Sequence, residues 1–235
     1  TFAGLAAQLT WRPTSALTVT PGARLDSYHL VPGIEHVAAD PRLALRWAIT
    51  DSLTLKGGAG LYHQPPTVLI PVPVAELALL RYGLQEAVQL SAGAEWRGER
   101  LEASAEAFFN PLLRTVEVGL SKAIASHSRP GSVGDDPSAH GHAYGLELML
   151  RVPLGARGFG WLAYTYTRSR RWEVFPRTNA LGEEIGSAQA YLPFAFEQAH
   201  VLNATLSWKL PGGFTVGTSF HFHTGRPESG QLTST

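Results

Sequence analysis

The chain has 235 residues with 19 basic and 19 acidic side chains, nine histidines and no cysteine. Balanced charge argues against the clustered cationic footprint of a nucleic-acid binder, and the lack of cysteine excludes disulfide frameworks and thiolate metal sites. The longest apolar run, 68–80, is broken by Pro71, Pro73 and Glu76 and falls short of the roughly 20 residues a membrane-spanning helix needs.

Alternation of apolar and polar residues predicts ten strands, at 2–11, 17–28, 42–50, 53–62, 88–96, 101–110, 143–152, 160–168, 202–210 and 214–223. The gaps between them alternate in length. Those at 12–15, 51–52, 97–100, 155–158 and 211–213 are short, whereas 29–40, 63–86, 120–142 and 169–195 are long. Tight turns at one end and long loops at the other are the plan of an outer-membrane β-barrel. A wall that alternates averages to near-neutral hydropathy, and the mean hydropathy is −0.03.

Parity sorts the side chains, because neighbours in a strand point to opposite faces. One face carries Leu17, Val19, Leu25, Leu43, Leu45, Trp47, Leu55, Leu61, Leu90, Trp96, Leu146, Leu148, Phe214 and Phe220. The other carries Arg24, Asp26, Arg42, Arg46, Lys56, Glu95, Glu102, Glu106, Glu147, Arg151 and Lys209. No charge is expected on the apolar face within these strands. A soluble β-sandwich also alternates, but tryptophan placement separates the two. Trp11, Trp47, Trp96 and Trp208 each precede a short turn, and Trp161 follows one with its parity off by one. Amphipathic rings at one height are what a membrane interface selects. Tyr28, Tyr62, Tyr144 and Phe222 form a weaker girdle at the other end. Gly57, Gly58 and Gly60 suit curvature or close packing, and Pro21 beside Gly22 predicts a bulge in the second strand.

Three segments resemble a known family. Pro41-Arg42-Leu43-Ala44-Leu45-Arg46-Trp47 leads through Asp51-Ser52 to Gly58-Ala59-Gly60-Leu61-Tyr62-His63-Gln64-Pro65-Pro66. Ala143-Tyr144-Gly145-Leu146-Glu147-Leu148 is followed by Gly160-Trp161-Leu162-Ala163-Tyr164-Thr165-Tyr166. The third runs from Phe196-Glu197-Gln198 through Pro211-Gly212-Gly213 to Thr224-Gly225-Arg226-Pro227. Together they are similar to the barrel of TonB-dependent outer-membrane receptors. The resemblance implies an all-β, antiparallel up-and-down transmembrane β-barrel segment of about ten strands, with short periplasmic turns and long extracellular loops. Residues 1–235 are read as one partial outer-membrane β-barrel domain without a plug domain or signal peptide, because the N-terminal Thr1-Phe2-Ala3-Gly4 shows no basic stretch leading into an apolar core. A transporter barrel of this kind has about 22 strands, so closing strands are expected to be missing.

The resemblance implies a receptor or transporter taking up an external, unidentified ligand across the outer membrane of a Gram-negative bacterium. Its partners would be outer-membrane lipid and TonB, whose contact region is not found here. The alternatives are a passive porin-type channel, a structural or adhesive outer-membrane barrel and, outside the membrane, a soluble β-sandwich binding module. No enzymatic role is expected and no catalytic, cofactor or metal site is assigned; the ligand-binding residues stay unassigned. Two histidine pairs, His140/His142 and His221/His223, have a spacing that suits metal ligation, but solvated strand ends explain them more simply. Glu102 with Glu106, Asp135-Asp136 and Glu183-Glu184 lack the distinct environments that acid–base chemistry requires. Charges facing Arg24, Arg42, Arg46 and Arg151 are expected to form ion pairs lining the lumen. The apolar loop 65–80 is expected to fold over the barrel mouth, with docking of a ligand or partner as the other reading.

Overall fold

A computed structural model of the chain describes residues 2–31, 33–66, 80–116, 138–179 and 184–227. These form eleven antiparallel strands: β1 (Phe2–Gln8), β2 (Leu17–Val31), β3 (Ile34–Ala48), β4 (Leu53–Gln64), β5 (Gln85–Arg97), β6 (Glu102–Val116), β7 (Ser138–Pro153), β8 (Gly158–Thr178), β9 (Glu184–Pro193), β10 (His200–Lys209) and β11 (Thr215–His223). They make one sheet in the order β1-β2-β3-β4-β5-β6-β7-β8-β10-β11, with β9 attached to β8 alone. The ten strands of that path are the ten read from alternation. Strands β1 and β11 each have one neighbour and do not pair with each other.

The eleventh strand arises because β8 is double length. Its lower part pairs with β10, from Gly158↔Trp208 to Tyr166↔His200, and its upper part pairs with β9, from Arg170↔Pro193 to Thr178↔Glu184. Residues 169–195, expected as a loop, are therefore mostly a hairpin. The expected loop 29–40 is likewise replaced by strand, with β2 running to Val31 and β3 starting at Ile34. Alternation is a signal only where one face is apolar. Past the apolar zone both faces mix apolar with polar residues, as Ile34, Glu35, His36, Val37 and Ala38 of β3 do, and the alternation is lost.

Hydrogen-bonded partners trace a row across nine strands: Leu17, Trp47, Leu55, Ala94, Ala105, Leu148, Tyr164, Leu202 and Phe222. Leu17 is the first residue of β2 at its short-turn end, whereas Phe222 lies seven residues from the short-turn end of β11. The row thus climbs seven residues in eight strand-to-strand steps, and with about 3.3 Å rise per residue against about 4.8 Å between strands this is a tilt of about 30°. Tilt and stagger of this kind are what a sheet needs to close into a barrel.

Pro21 does not cause a bulge. Its register is continuous, Pro21 pairing with Leu43. The Pro21 carbonyl accepts the Leu9 N–H at 3.0 Å, so its missing N–H faces β1; two residues on, Trp11 and Val19 exchange both bonds at 2.8 Å. The proline removes one bond of one pair beside the edge strand, where the loss is tolerated.

The buried apolar cluster is small: Tyr28, Ala38, Leu80 and Leu84, with Ile34 against it. Leu80 opens a 3-10 turn (Leu80–Tyr82) whose Leu80 carbonyl lies 2.8 Å from His36 Nε2. Of the loop 65–80, residues 67–79 lie outside the described residues; its Leu80 end packs onto the sheet. Leu80→Ala should loosen this anchor by about 2–5 kcal/mol. The expected outcome is faster hydrogen exchange at residues 80–84 with unchanged exchange in the β5–β8 ladder.

Candidate functional site: the charged face of the sheet

A second row lies one residue along, on the opposite face. It reads Thr18, Arg46, Lys56, Gly93, Glu106, Glu147, Thr165, Val201 and His223. Lys56 and Glu106 sit on β4 and β6, with Gly93 of β5 between them. The absence of a side chain at Gly93 lets Lys56 Nζ reach Glu106 at 2.5 Å. Lys56 also lies 3.5 Å from Glu95, which accepts from Arg46 Nη2 at 2.5 Å. Glu102 lies 3.3 Å from Arg97 and 3.8 Å from Arg151. Arg24 Nε donates to the buried Asp26 at 2.6 Å.

Three of the four arginines expected to pair on this face do so: Arg24, Arg46 and Arg151. Arg42 has no ion-pair partner among the described residues, and its Nε finds no hydrogen-bond partner there. Glu102 and Glu106, on one strand face with Ser104 between them, each face different cations. Such paired carboxylates line the charged face. Asp135, Asp136 and Glu183 lie outside the described residues, as does the side chain of Glu184.

A cavity of about 320 Å³ lies on this face, lined from Gln8 on β1 to Glu147 on β7, with Arg42, Tyr62, Ser91 and Glu106 among its walls. Lining by seven strands is what the concave side of a curved sheet provides. Aromatic rings also turn inward here. Tyr28 and Tyr62, expected in the outer girdle, share parity with Arg24 and Lys56. Trp161, opposite Arg151 and Thr205, is on the charged face too. Tyr144 and Phe222 remain on the apolar face.

The histidine pairs divide. His221 and His223 face the charged side, where His221 Nδ1 bonds Asn203 and His223 Nδ1 lies 2.8 Å from Gln198 Nε2. His140 and His142 share the face of Leu146 and Leu148 and pack among Trp172, Tyr144 and Tyr191. Among the described residues, no group of three or more His, Asp and Glu side chains is placed to hold a metal ion. Sequence reasoning missed the contact of His63 Nδ1 with Asp40 at 2.6 Å, because 29–40 read as a loop. It also missed Arg168. That residue closes a predicted strand yet lies on the apolar face, paired with Glu197 at 2.9 Å.

The family model for the TonB dependent receptor-like β-barrel matches residues 1–235. The chain belongs to this family. Solved barrels of low sequence identity share the fold. FpvA of P. aeruginosa, bound to heterologous pyoverdines, is 15% identical with a TM-score of 0.65, over 94% of this chain and 28% of that one. A variant of the ferric enterobactin receptor PfeA from Pseudomonas aeruginosa gives 17% and 0.54, over 93% and 38%. The copper transporter OprC gives 13% and 0.52, over 93% and 40%. The chain therefore spans less than half the length of these structures. No curated protein matches it significantly.

In this barrel sheet Gly93 is one of the positions where added volume has nowhere to go. A Cβ there would collide with the Ala105 carbonyl oxygen and lie 2.9 Å from Glu106 Cα, whereas one at Gly57 meets only the Ser91 carbonyl at 3.4 Å. Gly93→Ala should cost about 1–3 kcal/mol, and Gly57→Ala should change stability by no more than about 0.5 kcal/mol. Denaturant titration of the refolded barrel reads the difference.

Proposed function

We propose that this chain forms part of the wall of a TonB-dependent receptor that takes up an external ligand across the outer membrane of a Gram-negative bacterium. One observation carries the reading beyond family membership: the apolar face of the staggered strands has the height of a membrane. At a tilt of about 30° each residue climbs about 2.9 Å, so an apolar band about 25 Å tall occupies about nine residues. The lower edge holds Trp47, Trp96 and Trp208, each one residue from the short-turn end of its strand. Nine residues up from Pro153 is Tyr144, eight up from Gly158 is Tyr166, and nine up from Lys209 is His200. Between these levels the outward residues of β7, β8 and β10 include Leu146, Leu148, Leu150, Leu162, Leu202 and Leu206, with no charge among them. Aromatic rings at both edges suit the two interfaces.

On this reading the short turns are periplasmic and the charged face lines the lumen. The free edges of β1 and β11 need further strands, since lipid leaves no partner for open backbone groups. A plug and a TonB-contacting segment would belong to the remainder of such a receptor. The neighbours named for pyoverdine, ferric enterobactin and copper make a metal ion or its chelate the first ligand class to assay.

The full-length protein should fractionate with the outer membrane and need detergent for release; recovery in the aqueous fraction overturns the reading. Within the wall, Leu148→Arg should cost about 2–4 kcal/mol, as charge does on a lipid-facing position. Thr165→Arg, on the opposite face beside Glu147, should be tolerated. Equal effects of the two on folding into vesicles would contradict the assignment of faces.

A further inference from the structure

We infer that His221 and His223 of β11 form a two-imidazole site for a copper(II) ion on the inward face of the sheet, with Asn203 of β10 holding His221 in its ligating form. That this face lines a lumen rests on the receptor reading above; the site itself rests on how the two rings are placed. The spacing of the pair suits solvated side chains as well, but three features of the placement go further. First, the rings lean together. Residues two apart on a strand are separated by about 6.6 Å along the backbone, yet the ring centroids stand 5.4 Å from each other. A metal held by Nε2 at about 2.0–2.1 Å lies about 3.2 Å from the ring centroid, so rings at adjacent coordination positions have centroids about 4.5–5.2 Å apart. A small side-chain rotation closes the difference.

Second, both Nδ1 atoms are engaged. His221 Nδ1 meets Asn203 Oδ1, which only accepts, so that nitrogen carries the ring proton. His223 Nδ1 faces the Thr224 carbonyl oxygen at 3.1 Å, which calls for a proton there too. The Gln198 amide, 2.8 Å away, can turn its oxygen toward the same nitrogen. A ring protonated at Nδ1 offers the lone pair of Nε2, and neither Nε2 has a hydrogen-bond partner among the described residues. Metal-bound imidazoles are oriented in this way. Third, the inward side chains beside the pair are uncharged: Val201, Asn203 and Thr205 on β10 and Ser219 on β11. No cation among them opposes a metal ion. The equally spaced His140 and His142 lie on the other face, with their rings against Trp172 and Tyr144. Two nitrogen ligands, with the remaining positions left to water, suit copper(II), which heads the affinity order for nitrogen donors and accepts a tetragonal set of N and O.

The test is titration of the full-length, tag-free protein in detergent micelles with copper(II) chloride, against glycine as competitor, read by electron paramagnetic resonance. At about pH 7.5 imidazoles are largely neutral. There the wild type should bind one more copper ion than the variant with both His221→Ala and His223→Ala. That ion should show couplings to two imidazole nitrogens. Asn203→Ala keeps both ligands and should weaken the site about tenfold; replacing His140 and His142 by Ala should leave it in place. Heat-modifiable mobility on gels confirms that each variant is folded. Equal copper uptake by the wild type and the His221/His223 variant overturns the inference, as does coupling to fewer than two imidazole nitrogens. Unchanged affinity in Asn203→Ala overturns the part given to Asn203. None of these results touches the receptor reading, which fails separately if the protein is recovered without detergent; the titration is then read in buffer.

Discussion

Backbone pairing is the constraint to which every other feature of this sheet is subordinate. In hydrocarbon an unpaired N–H or C=O costs several kcal/mol, so the ladder has to run unbroken from strand to strand while the side chains accommodate it. The structure shows that order of priority at two places. Pro21 gives up one hydrogen bond to β1, yet the register on both sides is kept. Gly93 gives up its side chain so that Lys56 and Glu106 can meet across the strand between them. In both cases the sequence bends to the ladder.

The ion pairs on the charged face act within that frame. Arg46, Lys56, Glu95 and Glu106 remain partly exposed, and pairs in such surroundings contribute at most about 1 kcal/mol each. Their larger effect is on register. A slip of one residue moves every side chain to the other face, which would place these four charges against lipid at a cost of about 2–4 kcal/mol apiece for the basic ones. The charges therefore exclude the wrong pairing more than they strengthen the right one. The exception is instructive: Glu106 and Glu147 are direct cross-strand partners of like charge, and only Glu106 has the lysine.

How much could be read in the sequence follows from where lipid would be. Inside the apolar band, alternation located all ten strands of the sheet path, their faces and the tryptophan-marked turn end. The inward parity of Trp161 was visible there as well. Above the band the signal failed. Residues 29–40 and 169–195 read as loops although β2, β3, β8 and β9 run through them, because apolar residues fall on both faces there, Ala38 on one and Val37 on the other, and no period of two stands out. Tyr28 and Tyr62 were placed in an outer girdle although parity alone puts them with Arg24 and Lys56. The contacts Asp40–His63 and Arg168–Glu197 join residues 23 and 29 apart, and no spacing rule anticipates them.

The same loss of pattern has a functional side. Below Tyr144 and Tyr166 an outward position must be apolar, so it carries little information beyond the fold. Two residues higher the requirement lapses, and outward positions become free to hold Arg168, Arg170, His140 and His142 without penalty from hydrocarbon. Strands that outgrow the apolar band thus supply rigid, hydrogen-bonded positions for polar side chains at the membrane surface, a firmer support than a loop would give. The stagger adds to this: because the row of partners climbs about one residue per strand, neighbouring strands leave the band at successive residues, and Arg168 and Arg170 of β8 stand opposite Tyr144 and His142 of β7. The feature that hid these residues from pattern reading, the end of the apolar requirement on the outward face, is the one that lets polar side chains stand there.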